Sequence, residues 1–127
     1  MIPDQVADIL DSNGFAHVAT VGPDGEPQNN PVWFAWDGET IAISQTPTKQ
    51  KFKNIQREPR VSLSILDPEN PYRYLEVRGE VASIEPDADY AFIHSLSNRY
   101  MGQDYPWLQP GEERVVVRIR PVHTTTM

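Results

Sequence analysis

With 127 residues the chain has room for one domain around one core, and it stands near the size at which pairing with a second copy becomes useful. Eighteen acidic against eleven basic side chains give a formal net charge of −7, which argues against nucleic acid as a partner because most of such a surface repels a polyanion. No apolar run is long enough for a membrane-spanning helix, and the absence of cysteine removes disulfides, thiolate metal sites and thiol nucleophiles. The start, MIPDQVADIL, lacks the basic leader of a secretory signal. The chain reads as a cytoplasmic protein without nucleic-acid or membrane partners, whose chemistry relies on other groups or a cofactor.

Pro3 stands where a first helical turn tolerates proline, and Val6, Ile9 and Leu10 follow at helical spacing, predicting a short amphipathic helix. Strand-like runs come next: Phe15–Val21, the turn PDGEP, Gln28–Trp36, the pair Asp37–Gly38, then Thr40–Ser44. An Asp-Gly pair between such runs predicts a hairpin, and three antiparallel strands follow. Pro31 has no amide hydrogen, so its position is an edge, a strand start or a bulge. Phe52 and Ile55 give the next segment one apolar stripe under a basic face, predicting a short helix that Pro59 ends. RVSLSILD alternates as a fourth strand, and YRYLEVRGEVASIE reads as a long fifth with a bulge at Gly79. Pro86 marks the start of a helix carrying Phe92, Leu96 and Tyr100, with Gly102 near its stop. A loop over Gln103–Gly111 precedes the last strand, RVVVRIRPV, and HTTTM is expected to fray. Six strands with helices at the start, middle and penultimate positions predict a single mainly β domain spanning residues 1–127, an antiparallel β-barrel with α-helices packed outside it.

Every lysine of the chain, Lys49, Lys51 and Lys53, falls within TPTKQKFKNI, with Arg57 and Arg60 close behind and Glu58 the one opposing acid. A helix N-terminus beside Lys49 and Lys51 favours an anion through free amides, macrodipole and full charges, and Ser44, Thr46 and Thr48 offer hydroxyls to the same group. A bound phosphate ester and a merely solvated helix face both fit this pattern. His17 reads as a structural histidine on a strand, His94 as surface on the outer helix and His123 as part of the tail, so no metal-ligand spacing exists. Trp33 and Phe34 are expected toward an interface and Trp36 in the core. No serine–histidine–acid or paired-carboxylate grouping appears, and no catalytic residue is assigned.

Three stretches in order, HVATVGPDGEPQNNPVWF, TPTKQKFKNIQREPRVSLSI and YRYLEVRGEV, resemble the FMN-binding split β-barrel of flavin and deazaflavin oxidoreductases related to pyridoxamine 5′-phosphate oxidase. The PVWF and K-x-K-x-x-N-I-x-x-x-P-R-V forms look most like the branch that uses coenzyme F420, a 5-deazaflavin. The resemblance implies a six-stranded antiparallel split β-barrel and a homodimer with two cofactor sites at the subunit interface. It implies that Lys49 and Lys51 hold the cofactor phosphate, with Ser44, Thr46, Thr48 and Asn54 in the same region. Gln28, Asn29, Asn30 and Pro31 would then face the ring, and Tyr72 and Tyr74 would come from the other subunit. Lys53, Arg57 and Arg60 would attract the polyglutamate tail of F420. The implied activity is hydride transfer from reduced F420 to a small conjugated organic substrate. FMN is the alternative cofactor, in an oxidase or reductase of the same fold, and a non-catalytic F420 carrier or sensor is a further alternative. Asp104–Trp107 matches the family pattern only loosely, so the resemblance assigns no substrate pocket.

Overall fold

Seven antiparallel strands form one continuous sheet in the computed structural model, which describes residues 1–127. In chain order they are β1 (Ala16–Val21), β2 (Pro27–Val32), β3 (Ala35–Trp36), β4 (Ile41–Gln45), β5 (Arg60–Asp67), β6 (Asn70–Pro86) and β7 (Val115–Thr125). Helix α1 (Gln50–Arg57) joins β4 to β5, and α2 (Ala91–Met101) lies between β6 and β7. The sheet order is β2-β1-β5-β6-β7-β4-β3. Its two edge strands, β2 and β3, are consecutive in the chain with only Trp33 and Phe34 between them, so the sheet must curl until its edges are neighbours. The result is an antiparallel barrel split along one seam.

Inward residues alternate along the strands as a period of two requires: Val61, Leu63 and Ile65 on β5, and Val115, Val117 and Ile119 on β7, are all buried. Val6, Ile9 and Leu10 from the N-terminal segment and Phe52 and Ile55 from α1 join the same core. The bulge expected at Gly79 is present, since β6 slips register against β7 between Arg78 and Gly79. A Cβ there would lie 2.5 Å from the Arg120 carbonyl oxygen, which explains the glycine. Asp37 and Gly38 make the β3–β4 turn, the Asp37 carboxylate accepting from the amides of Glu39 at 2.8 Å and Thr40 at 2.6 Å. Pro31 sits on edge strand β2, where its missing donor costs nothing.

Several sequence expectations need correction. The N-terminal helix, Asp4–Asp11, is 3₁₀ in type, with i to i+3 bonds such as Val6 N–H to the Pro3 carbonyl at 3.1 Å. The second predicted strand is two, because Phe34 leaves the ladder to become completely buried in the core rather than facing an interface; six strands thereby become seven. Pro86 ends β6 rather than starting α2. The cap of α2 is the buried Asp87, whose two carboxylate oxygens each accept at 3.0 Å, from the amides of Phe92 and Ile93. HTTTM is no frayed tail: Thr124 and Thr125 pair with Val77 and Glu76, and Thr126 donates to the Tyr74 carbonyl oxygen at 2.5 Å. The first half of β6 would otherwise be an open edge.

Helix α2 closes the seam. The Tyr100 hydroxyl donates to the Gly14 carbonyl oxygen at 2.8 Å and accepts from the Phe34 amide at 3.3 Å, while its ring stacks on Trp33 at 5.3 Å. One side chain thus joins the entry to β1 to the β2–β3 link. No helix is long and apolar enough to cross a membrane, and no three acidic or histidine side chains gather as a metal group.

Candidate cofactor site

Strand β4 ends at Gln45, and the chain turns through Thr46–Thr48 into α1, whose N-cap position, Lys49, makes no side-chain cap. The first turn of α1 therefore presents its free amides beside two lysines. Edge strand β2 runs alongside and places Gln28 and Asn30 on one face, two residues apart and hydrogen-bonded at 3.0 Å. Tyr105 and Arg114 arrive from the far end of the chain and complete a cavity of about 390 Å³, into which Ser44, Gln45, Thr46, Lys49, Gln50 and Lys51 also face. A second compartment of about 290 Å³ adjoins it, walled by Phe15, Val32, Trp33, Ile93, Leu96 and Trp107. Pro31, Ser44, Lys51, Tyr105 and Arg114 belong to both, so the two form one trough with a cationic end and an aromatic end.

The cationic end is under electrostatic strain. Burial, followed by repulsion from Lys49 and Arg114, holds the Lys51 ammonium below its ordinary pKa. Arg114 is fixed by Glu112 Oε2 at 2.6 Å, by Ser44 Oγ at 3.1 Å and by stacking of its guanidinium 5.0 Å from the Tyr105 ring centre. Gln45, 2% exposed, has neither amide atom hydrogen-bonded within the chain. A buried orphan of this kind costs about 1–3 kcal/mol unless something supplies its partners. Crowded cations, an orphaned amide and an adjoining aromatic compartment together fit an anionic cofactor with a polar-edged planar ring.

Most of the residues expected from the sequence meet here. Gln28, Asn30, Pro31, Ser44, Thr46, Lys49 and Lys51 all line the cavity. Asn54 lies behind it, fully buried, donating to Thr20 Oγ1 at 3.0 Å and Gln28 Oε1 at 3.2 Å and accepting from Gln50 at 2.8 Å. Its amide is spent clamping α1 to β1 and β2. Asn29 and Thr48 are exposed and outside the cavity wall. Tyr72 and Tyr74, at the start of β6, are likewise absent from the trough of their own chain. Arg57 bonds the Val21 carbonyl oxygen and Arg60 pairs with Glu58 at 2.5 Å, so both are engaged within the chain. The sequence reading missed Gln45, Gln50, Tyr105 and Arg114. For Gln45 the signal was a polar side chain ending the strand IAISQ, where the structure buries it.

A split barrel with this trough defines the class: a flavin- or deazaflavin-type oxidoreductase. Comparison gives the family, since the model of the pyridoxamine 5′-phosphate oxidase family matches residues 2–127 and the chain belongs to that family. Among solved structures it is similar to a protein named F420 reductase, with 43% identity over 98% of each chain and a TM-score of 0.91. It is also similar to a conserved hypothetical protein from Mycobacterium tuberculosis, with 29% identity over 99% of this chain and 84% of that one and a TM-score of 0.77. General Stress Protein 26 from Bacillus anthracis shares the fold, at 20% identity over 98% of this chain and 92% of that one and a TM-score of 0.74. No curated protein matches.

Proposed function

We propose that this chain is an F420-dependent reductase, a cytoplasmic homodimer that passes a hydride from the reduced deazaflavin to a small conjugated substrate. The observation that carries the reading is the cluster of Lys49, Lys51 and Arg114 at one end of a trough whose other end is aromatic. The 43% identity to a protein named F420 reductase favours the deazaflavin over FMN. Lys49 and Lys51 would hold the phosphodiester, assisted by the hydroxyls of Ser44 and Thr46 and the amides of α1. Gln28, Asn30 and Gln45 offer amides to the polar edge of the ring. Trp33, Tyr105 and Trp107 wall the aromatic end. When bound in reduced form, F420 supplies the hydride, and the protein's part is binding and orientation. The second copy in the dimer would bring Tyr72 and Tyr74 to the site.

Fluorescence titration of cofactor-free protein with oxidised F420, and separately with FMN, tests this. Micromolar or tighter binding of F420 with much weaker FMN binding is expected. The reverse preference moves the protein to the flavin branch, and binding of neither leaves the lysines as solvated surface. A protein that binds reduced F420 but never oxidises it, whichever enone is offered, is a carrier rather than a reductase.

A further inference from the structure

The loop between α2 and β7 supplies Tyr105 to both compartments and Trp107 to the aromatic one. No bond between main-chain groups holds residues 103–108; side chains hold them instead. Asn98 donates to Asp104 Oδ1 at 2.7 Å, and Tyr105 packs edge-on against Trp33 at 6.2 Å and Trp107 at 5.5 Å. The main chain itself is caught at two points: the Tyr105 amide donates to Nδ1 of His94, on α2, at 3.0 Å, and the Trp107 carbonyl oxygen accepts from the neighbouring Gln109 side chain at 3.3 Å, so His94 makes the one tie to another element. His94 is half-buried, not the free surface residue its sequence position suggests.

We propose that His94 is a positioning residue for this site: its neutral imidazole hooks the Tyr105 amide and so fixes the aromatic side chain shared by the cationic and aromatic ends of the trough. An Nδ1 that accepts must be unprotonated, with the ring proton on Nε2. The imidazolium has two donors and no acceptor, so protonation breaks the hook. The ionisable groups around the contact are already committed. On the loop, Asp104 is bonded to Asn98, Glu112 is paired with Arg114, and the Tyr105 ring lies against the Arg114 guanidinium. On α2, the Tyr90 hydroxyl donates to the Glu112 carbonyl oxygen, and Arg99 reaches Ser12 and Asn13. None of them offers the Tyr105 amide a second acceptor. The consequence for turnover rests on the function proposed above, whereas the hook itself does not.

The test is hydrogen exchange at the Tyr105 amide in cofactor-free protein, corrected for intrinsic rate, in the wild type and two variants. His94→Leu should lose protection roughly fivefold, the size of one neutral hydrogen bond, and His94→Asn, whose oxygen can accept near the Nδ1 position, should keep it. A His94→Leu protein as protected as wild type, or a His94→Asn protein as exposed as His94→Leu, overturns the proposal. In the same samples, F420 affinity should fall in His94→Leu and hold in His94→Asn. Exchange as expected with no F420 binding would remove the reductase reading and leave the hook standing.

Discussion

Lys51 carries its charge where the ligand-free fold opposes it. Burial comes first and the charges of Lys49 and Arg114 second, and together they hold its pKa below the ordinary lysine value. The unfolded chain thus binds this proton more tightly than the folded one, so Lys51 weakens the ligand-free protein at neutral pH, and the loss is recovered as pH rises through the lowered folded value. An anion in the cavity reverses the balance. Lys51→Met, which keeps an apolar stem, should therefore raise the melting temperature of the ligand-free protein while weakening F420 binding by about 1.5–3 kcal/mol, the worth of a charge-assisted hydrogen bond. Melting curves with and without F420 check both halves, and a fall in ligand-free melting temperature would mark Lys51 as structural. That Lys49, Lys51, Ser44 and Thr46 form a site was legible because they are neighbours in sequence. Arg114 was not, since it meets Ser44 from 70 positions away. It arrives only through the pairing that sets Gln45 opposite Val115.

At the scale of elements, local signals placed the strands well and failed where a tertiary partner decided the boundary. The alternation of RVSLSILD located β5, and the Asp37–Gly38 turn located the β3–β4 hairpin. Pro86 was misread because proline suits a helix start and a strand end equally, and here it pairs with Val115 at the end of β6. The threonines of the tail carry no apolar face, yet the length of β6 recruits them as its partner. Asp87 shows what the proline signal concealed: its carboxylate takes two of the free amides of α2 while itself buried. Asp87→Ala should cost about 1–2 kcal/mol through loss of this cap, read as a shift in denaturant midpoint. The same helix carries His94 and Tyr100, so exchange at the α2 amides should rise with it. Asp87→Asn keeps one acceptor and should recover part of the loss.

The whole molecule is a barrel whose seam is fastened by α2 through Tyr100. The single-chain architecture was readable from strand and helix order, and the expected homodimer requires a different observation. Tyr72 is 78% exposed and lies on the first turn-side residues of β6, outside the trough of its own chain. An aromatic so placed contributes little to the folding of one chain, since nearly all its surface stays in water. If a second copy uses it to cover the cofactor, its loss must appear in binding and not in the stability of the isolated chain. Tyr72→Ala should then weaken F420 binding by about 1–2 kcal/mol, as truncating an aromatic anchor at an interface does. Sedimentation velocity on the same samples establishes whether the protein associates. A dimeric wild type with weakened F420 binding in the variant supports the shared site; a monomer with unchanged affinity means that one chain holds the cofactor alone, between β2, β4, α1 and the Tyr105 loop.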